Sequence, residues 1–281
     1  MALTKFIPTI WDETIHREKV AKDVFAENCN RRFEGKLAEK GDSVKILGVK
    51  APKIYDLAKS ARGGSINDAD DVVEDSIIMH VNQIAYYNYK VNDFDAQESV
   101  DGVMDAMKKA TAEQLANKTD KYIANLAKDK LANVITGDTA VQITKDNVLE
   151  TIDGAIQKLY ENNVADNTTI TLTVSPAFYF ILKRAYTGLD TDNSALLKNG
   201  AVGMYGKVVI KMSNNVAKDA DGTEYLMIRT NEAIAYVESD VHSEAYRPEN
   251  GFADAIKGYI LYDAQIVRPD EMCVLKVKYT A

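Results

Sequence analysis

The side chains able to do chemistry in this 281-residue sequence are few and scattered. Its three histidines, His16, His80 and His242, stand apart. None has a cysteine or a second histidine at metal-ligand spacing, so no zinc centre is expected. The two cysteines, Cys29 and Cys273, lie near opposite ends of the chain. They are too few for a disulfide framework and read as reduced structural thiols. Asp219-Ala220-Asp221-Gly222-Thr223-Glu224 has the oxygen density of a calcium loop but lacks the later glutamate such a loop needs, and reads as a hairpin turn. Asp190-Thr191-Asp192-Asn193 reads as loop, and the pair Asp70-Asp71, which could serve acid–base chemistry, as solvated charge. No glycine-rich phosphate cradle, G-x-S-x-G elbow or H-E-x-x-H pair occurs. The run Tyr86-Tyr87-Asn88-Tyr89 could stack on bases, but no basic stripe adjoins it, so it reads as a packed strand. The expectation is a protein without catalytic residues, metal or cofactor.

Composition points the same way. Hydrophobic residues make up 46% of the chain, enough for a folded core. No run approaches the roughly 18 apolar residues of a membrane span, and the N-terminus lacks the apolar stretch of a secretory signal. The net charge of −8 argues against a dedicated nucleic-acid binder. Residues 1–60 nevertheless hold 12 Lys/Arg against 9 Asp/Glu, while the remainder hold 22 against 33. A mildly basic arm on an acidic body suits docking onto neighbouring copies of that body, although chance clustering gives the same count.

The elements that position these residues are of unusual kinds. Residues 1–40 read as an arm, with Phe6, Ile7, Ile10, Trp11 and Ile15 around Pro8 and a helical run from about Glu13 through Val20, Val24 and Phe25. So small a segment cannot bury its own apolar side and must pack on the rest of the chain or on another subunit. Residues 43–91 read as one long hairpin: Ser43–Val49 goes out, and the alternation Tyr87, Tyr89, Val91 returns. Ser60-Ala61-Arg62-Gly63-Gly64-Ser65 and the acidic residues after it have the composition of an exposed tip. Asp95 with Glu98 forms a capping box. From there an apolar stripe through Val103, Met107, Leu115, Ile123 and Leu131 predicts a helix of about 40 residues, or about 33 if Gly102 delays its start. From residue 144 the texture is mixed α/β. Thr144 is the expected cap of one helix and Ser175, before Pro176, of another. Val208–Ile210 and Tyr225–Ile228 read as strands joined by the turn at Asp219–Gly222. Tyr259–Val267 and Cys273–Tyr279 read as closing strands, split by Arg268-Pro269-Asp270.

Arm, long hairpin, spine helix, α/β domain and returning strands, in that order, resemble the Hong Kong-type fold of tailed-bacteriophage major capsid proteins, which encapsulins share. Segments similar to that family are Phe6-Ile7-Pro8-Thr9-Ile10-Trp11, Phe33-Glu34-Gly35 leading to Gly41-Asp42-Ser43-Val44-Lys45-Ile46, and Val91-Asn92-Asp93-Phe94-Asp95. Others are Gly203-Met204-Tyr205-Gly206 running into Val208, Ser213-Asn214-Asn215, Arg247-Pro248-Glu249, Phe252-Ala253-Asp254 and Gly258-Tyr259. The likeness lies in their co-linear order over nearly the whole chain. It implies an α+β capsid fold: arm 1–40, extended loop 41–92, peripheral domain with spine helix 93–139, α/β axial domain 140–256 and peripheral return strands 257–281.

The resemblance further implies self-assembly into pentamers and hexamers of an icosahedral shell around double-stranded DNA. Phe6, Ile7, Pro8, Ile10 and Trp11 would make inter-subunit arm contacts, and Arg62, Gly63 and Gly64 would form the loop tip. Gly203, Tyr205 and Gly206 would belong to an axial-domain loop, and Arg247 and Arg268 to peripheral contacts. Implied partners are copies of the chain, portal and decoration proteins, and DNA held weakly and non-specifically, with no membrane. No long helical extension precedes Phe6, so a separate scaffolding protein is expected. Lys50, Lys53 and Lys59 lie in or near the extended loop, but no motif gives them a cross-linking partner. The implied location is the virion, assembled in the host bacterial cytoplasm. Two other readings stay open: an encapsulin-like shell that loads cargo enzymes, and a soluble enzyme using the 140–256 domain.

Overall fold

A computed structural model describes residues 8–33, 43–49, 74–92, 103–137, 139–164, 167–187, 203–249 and 253–279. Helix α1 (Pro8–Val20) opens on a proline, whose missing N–H costs nothing in a first helical turn, and ends with Arg17 and Lys19 at its negative pole. The helix stops before Val24 and Phe25, which the helical spacing had included; the chain there turns through a 3-10 segment at Ala26–Asn28.

Strand β1 (Ser43–Val49) pairs antiparallel with β2 (Glu74–His80), in the register Ser43 to His80 through Val49 to Glu74. The tyrosine-bearing run is a separate strand, β3 (Gln83–Asn92), and belongs to another sheet. The predicted single hairpin is thereby corrected. Its return limb bends at Val81-Asn82, where the Asn82 amide donates to Asp263, and only the part before the bend pairs with β1. The tip residues Arg62, Gly63 and Gly64 lie outside the described residues.

The described residues of helix α2, Val103–Asn125, number 23, about 35 Å at 1.5 Å per residue, and the helix ends before the predicted stripe does. A 3-10 turn at Leu126–Lys128 tightens its end, and Asp129 then leaves the helix in extended conformation. Leu131, counted in the apolar stripe, is 52% exposed. Asp95 and Glu98 lie outside the described residues.

Strand β4 (Val141–Ile143) leads to α3 (Val148–Glu161). The N-cap of α3 is Asn147, not Thr144: Thr144 donates its amide to the Asn147 side chain and accepts the Val148 N–H through its carbonyl. The fully buried strand β5 (Ile170–Val174) runs into α4 (Pro176–Thr187), and there the expected cap forms, Ser175 Oγ accepting the Phe178 N–H at 3.3 Å. After it come β6 (Met204–Tyr205), β7 (Val208–Met212), β8 (Ala217–Lys218) and β9 (Glu224–Thr230). The chain closes with β10 (Ile234–Glu238), β11 (His242–Tyr246), β12 (Ala253–Ile266) and β13 (Met272–Tyr279).

Two sheets carry the fold. The larger has the order β4-β13-β9-β5-β7-β6, with β8 also on β9. Thus β7 and β9 are not hairpin partners as expected: β5 lies between them, and the Asp219–Gly222 turn joins β8 to β9 instead. The parallel pair β5 and β7 is connected through α4, as parallel neighbours require a crossover. In the smaller sheet, β12 pairs with β10 and β11 along one edge and with β3 along the other. The two closing strands therefore part: β12 organises the small sheet, while β13 lies in the large one between β4 and β9.

The main core packs both sheets with α2, α3 and α4, burying Leu115, Ile123, Ile152, Leu159, Phe178 and Tyr262. A second, small core forms where Val44, Ile46 and Met79 of the β1–β2 ribbon meet Ala235 and Val237 of β10, with Leu261 against them. Apolar burial of about 25 cal/mol per Å2 fixes the root of the ribbon to the small sheet through these few side chains.

Candidate assembly surface

The segment following α1 is seated on its own chain by charge. The Asp120 carboxylate, on α2, accepts the amides of Val24, Phe25 and Ala26 at 3.0, 3.0 and 3.2 Å. These are the orphan donors at the start of the 3-10 turn. At its other end the buried Arg229 guanidinium, on β9, donates to the carbonyls of Phe25 and Asn28 and to Cys29 Sγ. An anion at the N–H end and a cation at the carbonyl end clamp the turn along its dipole. Burial is the main influence on Asp120 and raises its carboxyl pKa, against the three amides that favour the charged form. The same burial raises the Cys29 thiol, with Arg229 opposing it, so the thiol is retained.

Beside the clamp lies a buried charge cluster. Lys19, wholly inaccessible, donates to Glu238 of β10 at 2.9 Å and to Asp23 at 3.2 Å. Arg31 reaches Glu238 at 3.2 Å and stacks its guanidinium over the Tyr236 ring. The Tyr236 hydroxyl donates to Glu238 at 2.7 Å, and burial first, then that carboxylate, raises the phenol well above its ordinary range. A strand-like bridge between Asn30 and Ala235 continues the seam. For residues 15–33 the question of what the arm packs on is thus answered by the chain itself.

Burial lifts the Asp23 carboxyl from 3.8 to about 6, with Lys19 opposing the shift. Because the folded value exceeds the unfolded one, the native state holds a proton between these values that the unfolded chain has released. Stability from Asp23 therefore rises as pH falls from above 6 towards 3.8, by about 3 kcal/mol in all. Urea unfolding of the unassembled protein at pH 7.5 and pH 5 checks this. The wild type gains on Asp23→Asn upon acidification, and equal slopes for the two proteins would refute the assignment.

The residues singled out from the sequence are dispersed. Phe6 and Ile7 lie outside the described residues, and Pro8, Ile10 and Trp11 fall on α1, where the backbone alone is described. Gly203 immediately precedes β6, and Gly206, with φ of +57°, makes the turn into β7 that a side chain would strain. Tyr205 donates its hydroxyl to Asp153 of α3 at 2.7 Å and meets Tyr186 of α4 edge to face. This pairing holds β6 against α3 and α4 at the large sheet's edge. Arg247 is paired with Asp254 at 3.7 Å beside the small sheet. Arg268 is paired with Glu271 at 2.8 Å between β12 and β13. Tyr205, Arg247 and Arg268 thus occupy three separate places. Sequence reasoning missed Lys19, Asp23, Asp120, Arg229 and Glu238; their partners lie up to 219 residues away, beyond any local signal.

The small sheet has one tight crossing. A Cβ at Gly258 would lie within 3 Å of the Tyr87 hydroxyl and the His242 carbonyl oxygen, and Tyr87 is held there by Ser243 Oγ at 2.6 Å. Gly258→Val is expected to lower stability by about 2–3 kcal/mol, read as a shift in thermal midpoint. Adding Tyr87→Ala should restore part of the loss, and strict additivity of the two changes would contradict the contact.

With this geometry in hand, the fold can be placed. It is similar to a chain from Mycobacterium phage Che8, 29% identical, over 90% of each chain, with a TM-score of 0.74. It is similar also to the capsid structure of cyanophage P-SCSP1u, 14% identical over 92% of this chain and 89% of that one, at 0.70. The virus-like particle from Pyrococcus furiosus shares the fold at 14% identity, covering 95% and 98%, at 0.60. No curated protein matches the sequence. These likenesses define the Hong Kong-type capsid fold. A family model described as phage capsid protein matches residues 87–277, and the chain belongs to that family. Its function is that of a major capsid protein of a tailed phage, a structural subunit of the virion that associates with its own copies.

Proposed function

We propose that the chain assembles through pentamers and hexamers into an icosahedral shell that encloses double-stranded DNA. The observation that carries this reading, beyond family membership, is the β1–β2 ribbon, whose described packing on the chain is the small core at its root. A ribbon of two strands is marginal in water on its own. An adjacent subunit supplies the surface along which this ribbon lies, while β3, the end of the expected loop 41–92, stays on its own chain through β12. The start of the arm, with Phe6, Ile7, Pro8, Ile10 and Trp11, makes further contacts between subunits, ahead of the clamp at residues 24–29 that holds the arm to its own chain. The peripheral part consists of α2 with the small sheet, and the axial part of the large sheet with α3 and α4. β13 goes with the axial sheet because its hydrogen bonds lie there.

The role is mechanical and not enzymatic: the subunit builds and closes a container. A net charge of −8 suits a wall that holds DNA weakly enough to release it. A separate scaffolding protein, a portal and decoration proteins are the further partners, and assembly takes place in the host bacterial cytoplasm. Negative-stain microscopy of the purified, nuclease-treated protein tests the reading. Shells, capsomers or tubes are expected, and the scaffold is needed if uniform shells form only in its presence. Dispersed particles of 31.1 kDa at high concentration, with or without scaffold, would overturn it.

A further inference from the structure

Strands β2 and β3 are separated by the two-residue bend at Val81-Asn82, and even-numbered residues on both sides of it are exposed. Ile78 is 51%, Ile84 59% and Tyr86 79% exposed, while Met79, Val81 and Ala85 between them are buried. Three exposed large apolar side chains, two of them neighbours on one face of β3, mark a contact site, not a solvated face. Ile84 and Tyr86 themselves line one side of a groove of about 540 Å3 between β3 and α2, and Met107, Ala110 and Leu115 line it from α2, with Lys118 supplying its charge. That volume lies within the range of clefts that hold organic ligands, roughly 300–1,000 Å3, and readily takes a phenol ring.

We propose that this knob and this hole are partners across a contact between two copies of the chain, Tyr86 of one filling the groove between β3 and α2 of the other. The proposal rests on the shell reading above. The occupant is a second copy because the chain associates with its own copies and, on that reading, β3 follows directly on the ribbon that lies on a neighbour. The patch also carries both halves of the contact on one surface, as a two-fold, self-complementary interface requires. Tyrosine packed in an apolar groove is the kind of anchor that dominates interface energies. The groove lacks acidic side chains to repel or solvate the ring, and Lys118 at its edge offers the buried hydroxyl a polar neighbour.

The test compares assembly of wild type, Tyr86→Phe, Tyr86→Ala and Ala110→Glu by sedimentation and microscopy, with thermal melting of the unassembled subunits as a check on folding. Tyr86→Phe should assemble like wild type, while Tyr86→Ala and Ala110→Glu should each lower shell yield at least about tenfold without moving the melting midpoint. Tyr86→Cys, co-assembled as a minor fraction with wild type, guards against a folding defect. Cys29 and Cys273 are buried, so a maleimide reads the new thiol, which should react in free subunits and be protected in shells. Wild-type shells with undiminished yield from Tyr86→Ala, or equal labelling of Tyr86→Cys in both states, would overturn this contact and leave the shell reading standing. Failure of the wild type itself to assemble would remove the shell reading, and this contact with it.

Discussion

Asp120→Ala is expected to lose about 3–4 kcal/mol of folding stability and Asp120→Asn about half of that. The carboxylate is 1% exposed and satisfies three consecutive amides of the turn at 24–26. Alanine strands all three donors in a site closed to water, and a buried unpaired donor costs about 1–3 kcal/mol. Asparagine keeps one acceptor oxygen and adds an amide with no acceptor facing it. Chemical denaturation gives the totals, and hydrogen exchange locates the effect. The amides of Val24, Phe25 and Ala26 should lose protection first, before the strands of the large sheet. A loss below about 1 kcal/mol in Asp120→Ala would mean the turn is held by something else. Because the turn sets the direction in which α1 leaves the body, both variants should also assemble less well in proportion to their local opening.

Lys19→Met is expected to cost about 3–5 kcal/mol at neutral pH and less at pH 5. The ammonium is buried between Asp23 and Glu238, and its removal leaves Arg31 alone against two carboxylates. Asp23, already lifted to about 6 by burial, then loses the neighbour that holds it down and takes up a proton at still higher pH. Protonation removes the one uncompensated charge, which is why acid relieves part of the damage. Adding Asp23→Asn to Lys19→Met should recover stability by the same logic. A cost unchanged between pH 7.5 and pH 5 would show that Lys19 acts through packing of its stem and not through charge. The cluster also explains a division of labour along the arm: residues 15–33 are committed to their own subunit by buried ion pairs.

Local signals were legible. Ser175 before Pro176 caps α4 as its type and position predict, and the alternation at Tyr87 and Tyr89 gives a strand in register with β12. What failed was pairing. The sequence has no mark at Val81-Asn82 to show that the returning limb bends, since the bend is fixed by Asp263, 181 residues on. The length of α2 was overread because the spacing of Leu126 and Leu131 continues the helical stripe, while the backbone leaves the helix at Asp129. The strand order around β5 was hidden for a similar reason: Val208–Ile210 and Tyr225–Ile228 are each strand-like, and nothing local says that β5 lies between them. The buried charges were least legible of all. Lys19 and Asp23 sit in an ordinary charged helical stretch, and Glu238 alone makes them a buried cluster. The family resemblance fared better than any single element because it rests on the order of many weak segments, the level at which the fold comparisons agree with it.

The most direct test of the account is an electron cryomicroscopy reconstruction of particles assembled from the full chain. Closed shells of pentamers and hexamers are expected in which the ribbon β1–β2, rooted on Ala235, Val237 and Leu261 of its own subunit, lies across an adjacent copy. A ribbon folded back along its own subunit in such shells would overturn this assembly, as would particles in which neighbouring copies touch only through the large sheet.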